Sequence, residues 1–182
     1  NGKPLIAYSI EASLASGVNE TWVSTDDPEI AMVSREYGAK VIDRPSELAQ
    51  DTSKSEDALN HFADNKEFDS MVFIQPTSPM IQPGDIDEAL QMVRPNGKYD
   101  SVFTVTEEHW IPRWTLDVKP SGWGMDEWPK RPMRQDVSER YVENGAFYIT
   151  RRENLLESKL RYSGNIGALE LPLERSFGID TY

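Results

Sequence analysis

The feature that most constrains how this chain folds is an apolar run at Val72, Phe73 and Ile74 that stops abruptly at Gln75, Pro76, Thr77, Ser78 and Pro79. A hydrophobic strand ending in prolines and hydroxyls delivers polar groups to the rim of a sheet. In open α/β sheets that rim, at the carboxyl ends of the strands, is where small ligands bind. The prolines fix φ and bias the preceding residues toward extended backbone, so Gln75 and Thr77 sit on a stiff ledge.

The neighbouring segments alternate in the same sense. Residues 5–15 follow Pro4 with a helical pattern that closes at Gly17, and residues 21–25 form a short β-rich run. Asp27 and Pro28 then supply a cap and a first helical residue for a helix carrying Ile30, Val33 and Tyr37 before Gly38. Val41 and Ile42 mark a brief strand. Residues 55–65 read as a helix, 70–74 as a buried strand, 85–94 as a helix and 99–106 as a strand. Strands alternating with helices imply parallel strands joined by crossovers.

From His109 to about Arg140 the rhythm breaks. Four of the five tryptophans (Trp110, Trp114, Trp123, Trp128) fall here among Pro112, Pro120, Pro129 and Pro132. Aromatic residues on a proline-rich excursion suit a surface that packs on a second subunit, because aromatics and arginine are enriched in interface cores. The regular pattern resumes over 141–149, with a short helix at 152–157 and a strand near 168–171. No internal repeat interrupts it.

A chain of 182 residues, 38% hydrophobic, supports one core and reads as a single globular domain over 1–182, with the excursion at 109–142 inside it. No apolar run approaches the roughly 20 residues that span a bilayer, and no leader pattern opens the chain. The absence of cysteine excludes disulfides and cysteine-ligated zinc and fits a cytoplasmic, reducing compartment. The formal charge of −12 argues against nucleic acid as a partner, since phosphate neutralisation needs a basic face. An anionic ligand must instead meet local cations such as Lys130, Arg131, Arg134, Arg140, Arg151 and Arg152, which a solvated surface run also explains. Neither histidine carries a function: His61 falls on a helix face, His109 opens the excursion, and no serine triad or zinc spacing can be built.

Several segments, taken in order and spacing, resemble the acylneuraminate cytidylyltransferases, the CMP-sialic acid synthetases. They are Gly2-Lys3-Pro4-Leu5-Ile6; Val23-Ser24-Thr25-Asp26-Asp27; Arg44 and Pro45 with Glu47, Leu48, Ala49 and Asp51; Gln75 to Pro79; Lys130-Arg131-Pro132 with Arg134, Gln135 and Asp136; and Glu143-Asn144-Gly145-Ala146. The resemblance covers essentially the whole chain. It implies an α/β, Rossmann-like nucleotidyltransferase fold, a mostly parallel sheet with helices on both faces and an irregular dimerisation excursion. It also implies CTP and a nonulosonic acid sugar as substrates, Mg2+ or Mn2+ as cofactor, and a homodimer or dimer of dimers.

By the same resemblance, Arg44, Ser53 and Ser55 surround the cytosine, although helix capping equally explains the two serines. Gln75 and Thr77 meet the acceptor sugar, or else form turn chemistry at a strand end. Arg131, Arg134 and Gln135 reach across the dimer into the neighbouring site, where an arginine fork suits a carboxylate or phosphate. Tyr141 and Asn144 lie beside the sugar pocket, with a tight turn at Asn144 and Gly145 as the simpler reading. The family's paired metal aspartates fall at Gly178 and Asp180, so Asp180 alone carries the metal and catalytic carboxylate; one carboxylate with waters and substrate phosphates can hold magnesium. The family's basic glycine-containing loop would end before Asn1, and residues 5–15 would follow the sheet's opening strand. Two alternatives accompany this expectation: a homologue that binds nucleotide or sugar without turnover, and a cytidylyltransferase for the eight-carbon sugar acid Kdo.

Overall fold

The computed structural model describes residues 2–108, 113–114, 117, 120–121, 133–136 and 138–179. Among these, helix α1 (Leu5–Leu14) leads into strand β1 (Trp22–Thr25), helix α2 (Pro28–Glu36) and strand β2 (Lys40–Asp43). β1 and β2 pair in parallel, from Trp22 opposite Lys40 to Thr25 opposite Asp43. The crossover between them has the expected start: the Asp27 carboxylate accepts the N–H groups of Glu29 (2.7 Å) and Ile30 (2.9 Å), and Pro28 occupies the first turn. Gly38, at φ +91°, takes the chain out of α2 in a backbone conformation that a Cβ disfavours.

The larger sheet follows. Helix α3 (Ser55–Asn65), strand β3 (Ser70–Ile74), helix α4 (Pro83–Val93) and strand β4 (Ser101–Glu107) precede the excursion, in which β5 (Arg113–Trp114) and β6 (Pro120–Ser121) pair antiparallel. Strand β7 (Tyr141–Arg151), helix α5 (Arg152–Ser158) and strand β8 (Ile166–Glu170) complete the element order. Spatially the sheet runs β3-β7-β4-β8. β3, β4 and β8 share one direction, and β7 runs against both its neighbours.

The sheet is mostly parallel, as expected, with β7 the one strand of the four that runs the other way. β7 follows β4 through the excursion rather than through a helix, and antiparallel neighbours need no crossover helix. Among the described residues β1 and β2 pair with each other, and β3, β7, β4 and β8 make up the larger sheet.

Helices cover both faces, and the period of two along β3 sorts them. Val72 and Ile74 join the cluster of Ile86, Ala89 and Val93 from α4 with Val102, Phe147 and Ile149. Met71 and Phe73 face the opposite way, against Leu59 and Ala63 of α3 and Leu155 of α5. Phe147, Ile149, Val102 and Ile86 are fully buried, each contributing about 1.5–3 kcal/mol. α3 and α4 begin alike: Asp57 accepts the Lys54 N–H at 2.9 Å, and Asp85 accepts the Gln82 N–H at 2.8 Å. The serines at α3 are thus not its caps.

One irregularity positions the site. The register between β4 and β7 jumps from Phe103 opposite Tyr148 to Val105 opposite Glu143, so β7 bulges around Asn144 and Gly145. Gly145 takes φ +71° there. Asn144 pins the bulge, its Oδ1 accepting from the buried Thr104 hydroxyl (2.6 Å) and from the Ala146 N–H (3.1 Å).

Candidate active site

The end of β3 and the bulge of β7 meet at one rim. The Gln75 N–H donates to the Ala146 carbonyl at 3.1 Å, and the Ser78 N–H returns to the Gln75 carbonyl at 3.0 Å, closing the proline-flanked turn. Gly145 faces this turn closely. A Cβ placed on it would stand 3.2 Å from Gln75 Oε1 and 3.9 Å from the Tyr148 hydroxyl. Gly145 therefore meets two demands at once, a left-handed backbone and the close approach of the Gln75 amide.

A third element crosses the same rim. After β8, the Leu171 N–H donates to the Val105 carbonyl (2.7 Å), a short turn spans Leu173–Arg175, and the Ile179 N–H donates to the Thr77 carbonyl (2.7 Å). The Ser176 hydroxyl accepts from Asn144 Nδ2 at 3.1 Å, and Arg175 donates to the Asp85 carboxylate at 3.0 Å. The strap of residues 171–179 is thus anchored on β4, β7, α4 and the ledge. Asp180, the residue after Ile179, and Arg131 lie outside the described residues.

Tyr148, Glu143 and two residues that the sequence did not single out, Arg161 and Glu56, complete the rim. The Tyr148 hydroxyl donates to the Glu143 carboxylate. Burial first, and then Glu143, push its phenol up to about 12, against the opposing pull of Arg161. Tyr148 is therefore a neutral donor at physiological pH. Arg161 in turn donates from Nε and Nη2 to the two carboxylate oxygens of Glu56, at 2.6 and 3.0 Å. This pairing holds the Glu56 carboxyl below its usual range. The one sequence signal for Tyr148 was its alternation with Phe147 and Ile149 on β7. Arg161 and Glu56 are 105 positions apart and gave no signal.

Arg44, Ser53 and Ser55 follow one another along the end of β2, the loop after it and the start of α3. Arg44 follows β2, its N–H bonded to the Thr25 carbonyl at 3.0 Å. It lines a cavity of about 330 Å³ with Thr25, Asp26, Asp27, Arg35 and Ser46, at the carboxyl ends of β1 and β2. Its Nε is buried and has no hydrogen-bond partner among the described residues, so the guanidinium retains a donor for a ligand. Ser53 accepts the Gln50 N–H at 3.1 Å, and Ser55 is the first residue of α3, next to Glu56.

The remaining candidates are surface groups. Tyr141 opens β7 with half its area exposed, and the nearby Glu170 carboxylate is the first cause of its raised phenol pKa. Gln135 is exposed in the turn Arg134–Asp136, its amide 3.4 Å from the Met133 sulfur. Two of the local cations have structural work: Arg151 donates to the Val93 and Arg94 carbonyls at the end of α4 and pairs with Asp100, and Arg152 pairs with Glu67. Asn144, with all its partners inside the fold, is a structural pin.

For a divalent ion, the described residues offer no cluster of three carboxylates or histidines, and Gly178 has no donor side chain. The described residues do not by themselves fit a metal site. No described helix is long and apolar enough to cross a membrane.

The described residues thus combine an α/β sheet with a polar ledge at its strand ends, a β-bulge facing that ledge, and a cavity lined by Arg44 at the ends of β1 and β2. Residues 1–167 match the family described as Cytidylyltransferase. The chain belongs to that family. It is 34% identical over 99% of its length to CMP-N,N'-diacetyllegionaminic acid synthase of Legionella pneumophila, covering 81% of that protein. It is 40% identical over 98% of its length to N-acylneuraminate cytidylyltransferase A of Danio rerio, and it spans only 42% of that relative's length. In fold it is similar to CMP:2-keto-3-deoxy-manno-octonic acid synthetase complexed with CTP, with a TM-score of 0.72, 23% identity and coverage of 99% of this chain and 83% of that one.

Proposed function

We propose that the protein transfers CMP from CTP to a nine-carbon, sialic-acid-type sugar and releases pyrophosphate. The observation that carries this reading is the meeting of Gln75, Gly145, Tyr148 and Ile179 at one rim, in a chain 40% and 34% identical over nearly its whole length to relatives named for CMP transfer to such sugars. Arg44 with its spare donor, Ser53 and Ser55 are the proposed nucleotide contacts. Gln75 and Thr77 are the proposed acceptor contacts, with Tyr141 and Asn144 at the pocket's edge, the latter by shaping the bulge.

The reaction is an attack of the sugar's anomeric hydroxyl on the α-phosphorus of CTP, with the Pα–O bond to pyrophosphate breaking as the new P–O bond forms. Such transfers depend mainly on positioning and on stabilising charge on the phosphate oxygens. The strand-end ledge and bulge serve positioning. For charge, Arg131, Arg134 and Gln135 are proposed to enter the site of a second copy in a homodimer or dimer of dimers, and Asp180 is the proposed Mg2+ or Mn2+ ligand. The test is pyrophosphate release by the full-length protein with CTP, N-acetylneuraminate and Mg2+, with Kdo as the rival acceptor. Release with N-acetylneuraminate supports the reading; release with Kdo alone, or with neither sugar nor any other nonulosonate, overturns it.

A further inference from the structure

Three of the elements that carry proposed substrate contacts converge on one side chain supplied by a fourth. Arg161 lies in the loop between α5 and β8. It grips Glu56 through two N–H···O bonds, a fork geometry that fixes the guanidinium plane. Both side chains are largely covered, with 22% and 19% of their areas exposed. Glu56 directly follows Ser55 at the start of α3.

The same guanidinium lies over two aromatic rings. Its Cζ is 5.1 Å from the ring centre of Tyr148 and 5.9 Å from that of Phe73. Phe73 stands two residues before Gln75 on β3, and Tyr148 three residues after Gly145 on β7. These rings stack on each other at 6.0 Å and 23°, and Tyr162 stacks on the far side of Tyr148 at 6.0 Å and 17°. Tyr148 is thereby held in plane, and its hydroxyl is directed to Glu143, whose carboxylate is exposed at the rim. A carboxylate so oriented is an acceptor suited to sugar hydroxyls.

The other well-bonded arginines have different work: Arg175 ties the strap to Asp85 at the start of α4 and lies over neither Tyr148 nor Phe73. Arg151 and Arg152 serve helix ends and exposed carboxylates away from the rim. Arg161 alone among the described arginines pairs beside Ser55 while bracing the residue that orients Glu143.

We propose that Arg161 is a positioning residue for acceptor binding: anchored on Glu56, it braces Tyr148 so that the Tyr148–Glu143 pair presents a fixed carboxylate to the acceptor's hydroxyls. The inference rests on the transfer reaction proposed above. It assigns Arg161 no contact with substrate, so its effect passes through Tyr148.

The experiment is a steady-state cycle on the full-length protein: wild type, Arg161→Met, Arg161→Lys, Tyr148→Phe and the Arg161→Met/Tyr148→Phe double variant, with both substrates varied and thermal melting recorded. Arg161→Met raises the acceptor KM about tenfold, with kcat and the CTP KM within about twofold of wild type; Arg161→Lys, which keeps the cation but not the fork, falls between. In the Tyr148→Phe background, Arg161→Met adds no further rise in acceptor KM. Arg152→Met lowers the melting temperature and leaves the acceptor KM unchanged, which separates positioning from loss of folded protein. An unchanged acceptor KM in Arg161→Met, a parallel loss for both substrates that tracks melting, or an equal rise in the presence and absence of the Tyr148 hydroxyl overturns the inference alone. No pyrophosphate from wild type with any nonulosonate removes the underlying reading and this inference with it.

Discussion

Gly145→Ala is the sharpest perturbation of the rim, because two independent costs fall on one methyl group. The backbone there has φ +71°, a region that costs an L-residue with a Cβ roughly 1–2 kcal/mol. The new Cβ would also stand 3.2 Å from Gln75 Oε1, so the amide must withdraw by a few tenths of an ångström. For a chain of this length each kcal/mol lowers the melting temperature by about 2–4 °C, giving an expected drop of about 2–8 °C. Since a misplacement of about 1 Å can cost around a hundredfold, the smaller retreat of Gln75 is expected to raise the acceptor KM roughly three- to tenfold. Calorimetric melting and acceptor titration read the two effects separately. Gly84→Ala is the matched control: it lies in the first turn of α4, has no positive φ, and its added Cβ meets nothing within 4 Å. That variant is expected to gain roughly 0.4–1 kcal/mol. Equal melting temperatures for Gly145→Ala and wild type would refute the argument from backbone and proximity together.

Other outcomes follow from features already described. Asp27→Ala removes the acceptor for two N–H groups at the start of α2 and is expected to cost about 0.5–2 kcal/mol, read by chemical denaturation. Asn144→Ala leaves the Ala146 N–H without its acceptor and the Thr104 hydroxyl with only its longer 3.3 Å bonds to Phe147, an expected loss of about 1–3 kcal/mol accompanied by a weaker acceptor KM as the bulge relaxes. Because Arg161 lowers the Glu56 pKa, that pair stabilises the fold above the unfolded carboxyl pKa and its contribution disappears as pH falls through the lower folded value. The stability difference between wild type and Glu56→Gln is therefore expected to narrow below about pH 4. Tyr148 gives the opposite limb: its raised pKa favours the folded state below the unfolded value and the benefit is lost as pH climbs from about 10 toward about 12, a limb that Tyr148→Phe lacks. Gly178→Asp restores the family's second carboxylate and is expected to lower the Mg2+ concentration giving half-maximal rate; an unchanged requirement removes the view that Asp180 alone limits metal binding.

Legibility in the sequence followed the range of the interaction. The bounds of α3 and β3 coincide with the residues 55–65 and 70–74 read from pattern, because periodicity, Asp57 and the closing Gln75-Pro76 are local signals. The start of α2 was equally plain in Asp27 and Pro28. The reversal of β7 was not, since strand direction depends on how the excursion returns and no residue between 141 and 151 encodes it. At the rim, the ledge announced itself through its prolines, and Gly145 through its place after Asn144. The tight-turn reading of that pair was close to the structural truth, as Asn144 closes a bulge inside the fold. Glu143 was noticed only as part of its Glu143-Ala146 segment, and Tyr148, Arg161 and Glu56 escaped notice because what joins them is contact between β7, α3 and the loop before β8, and single-sequence patterns carry no record of such distances.

The bulge also divides one strand into two regimes. Before Gly145, β7 shows its side chains to solvent at Tyr141, Val142 and Glu143; after it, five consecutive residues from Ala146 to Thr150 are buried. Upstream, Glu143 is held by the Tyr148 hydroxyl and Asn144 by Thr104, while Tyr141 and Val142 face outward; downstream positions are tied to the core. Saturation mutagenesis scored by folded stability should accordingly find tolerance at Tyr141 and Val142 and little of it from Ala146 to Thr150.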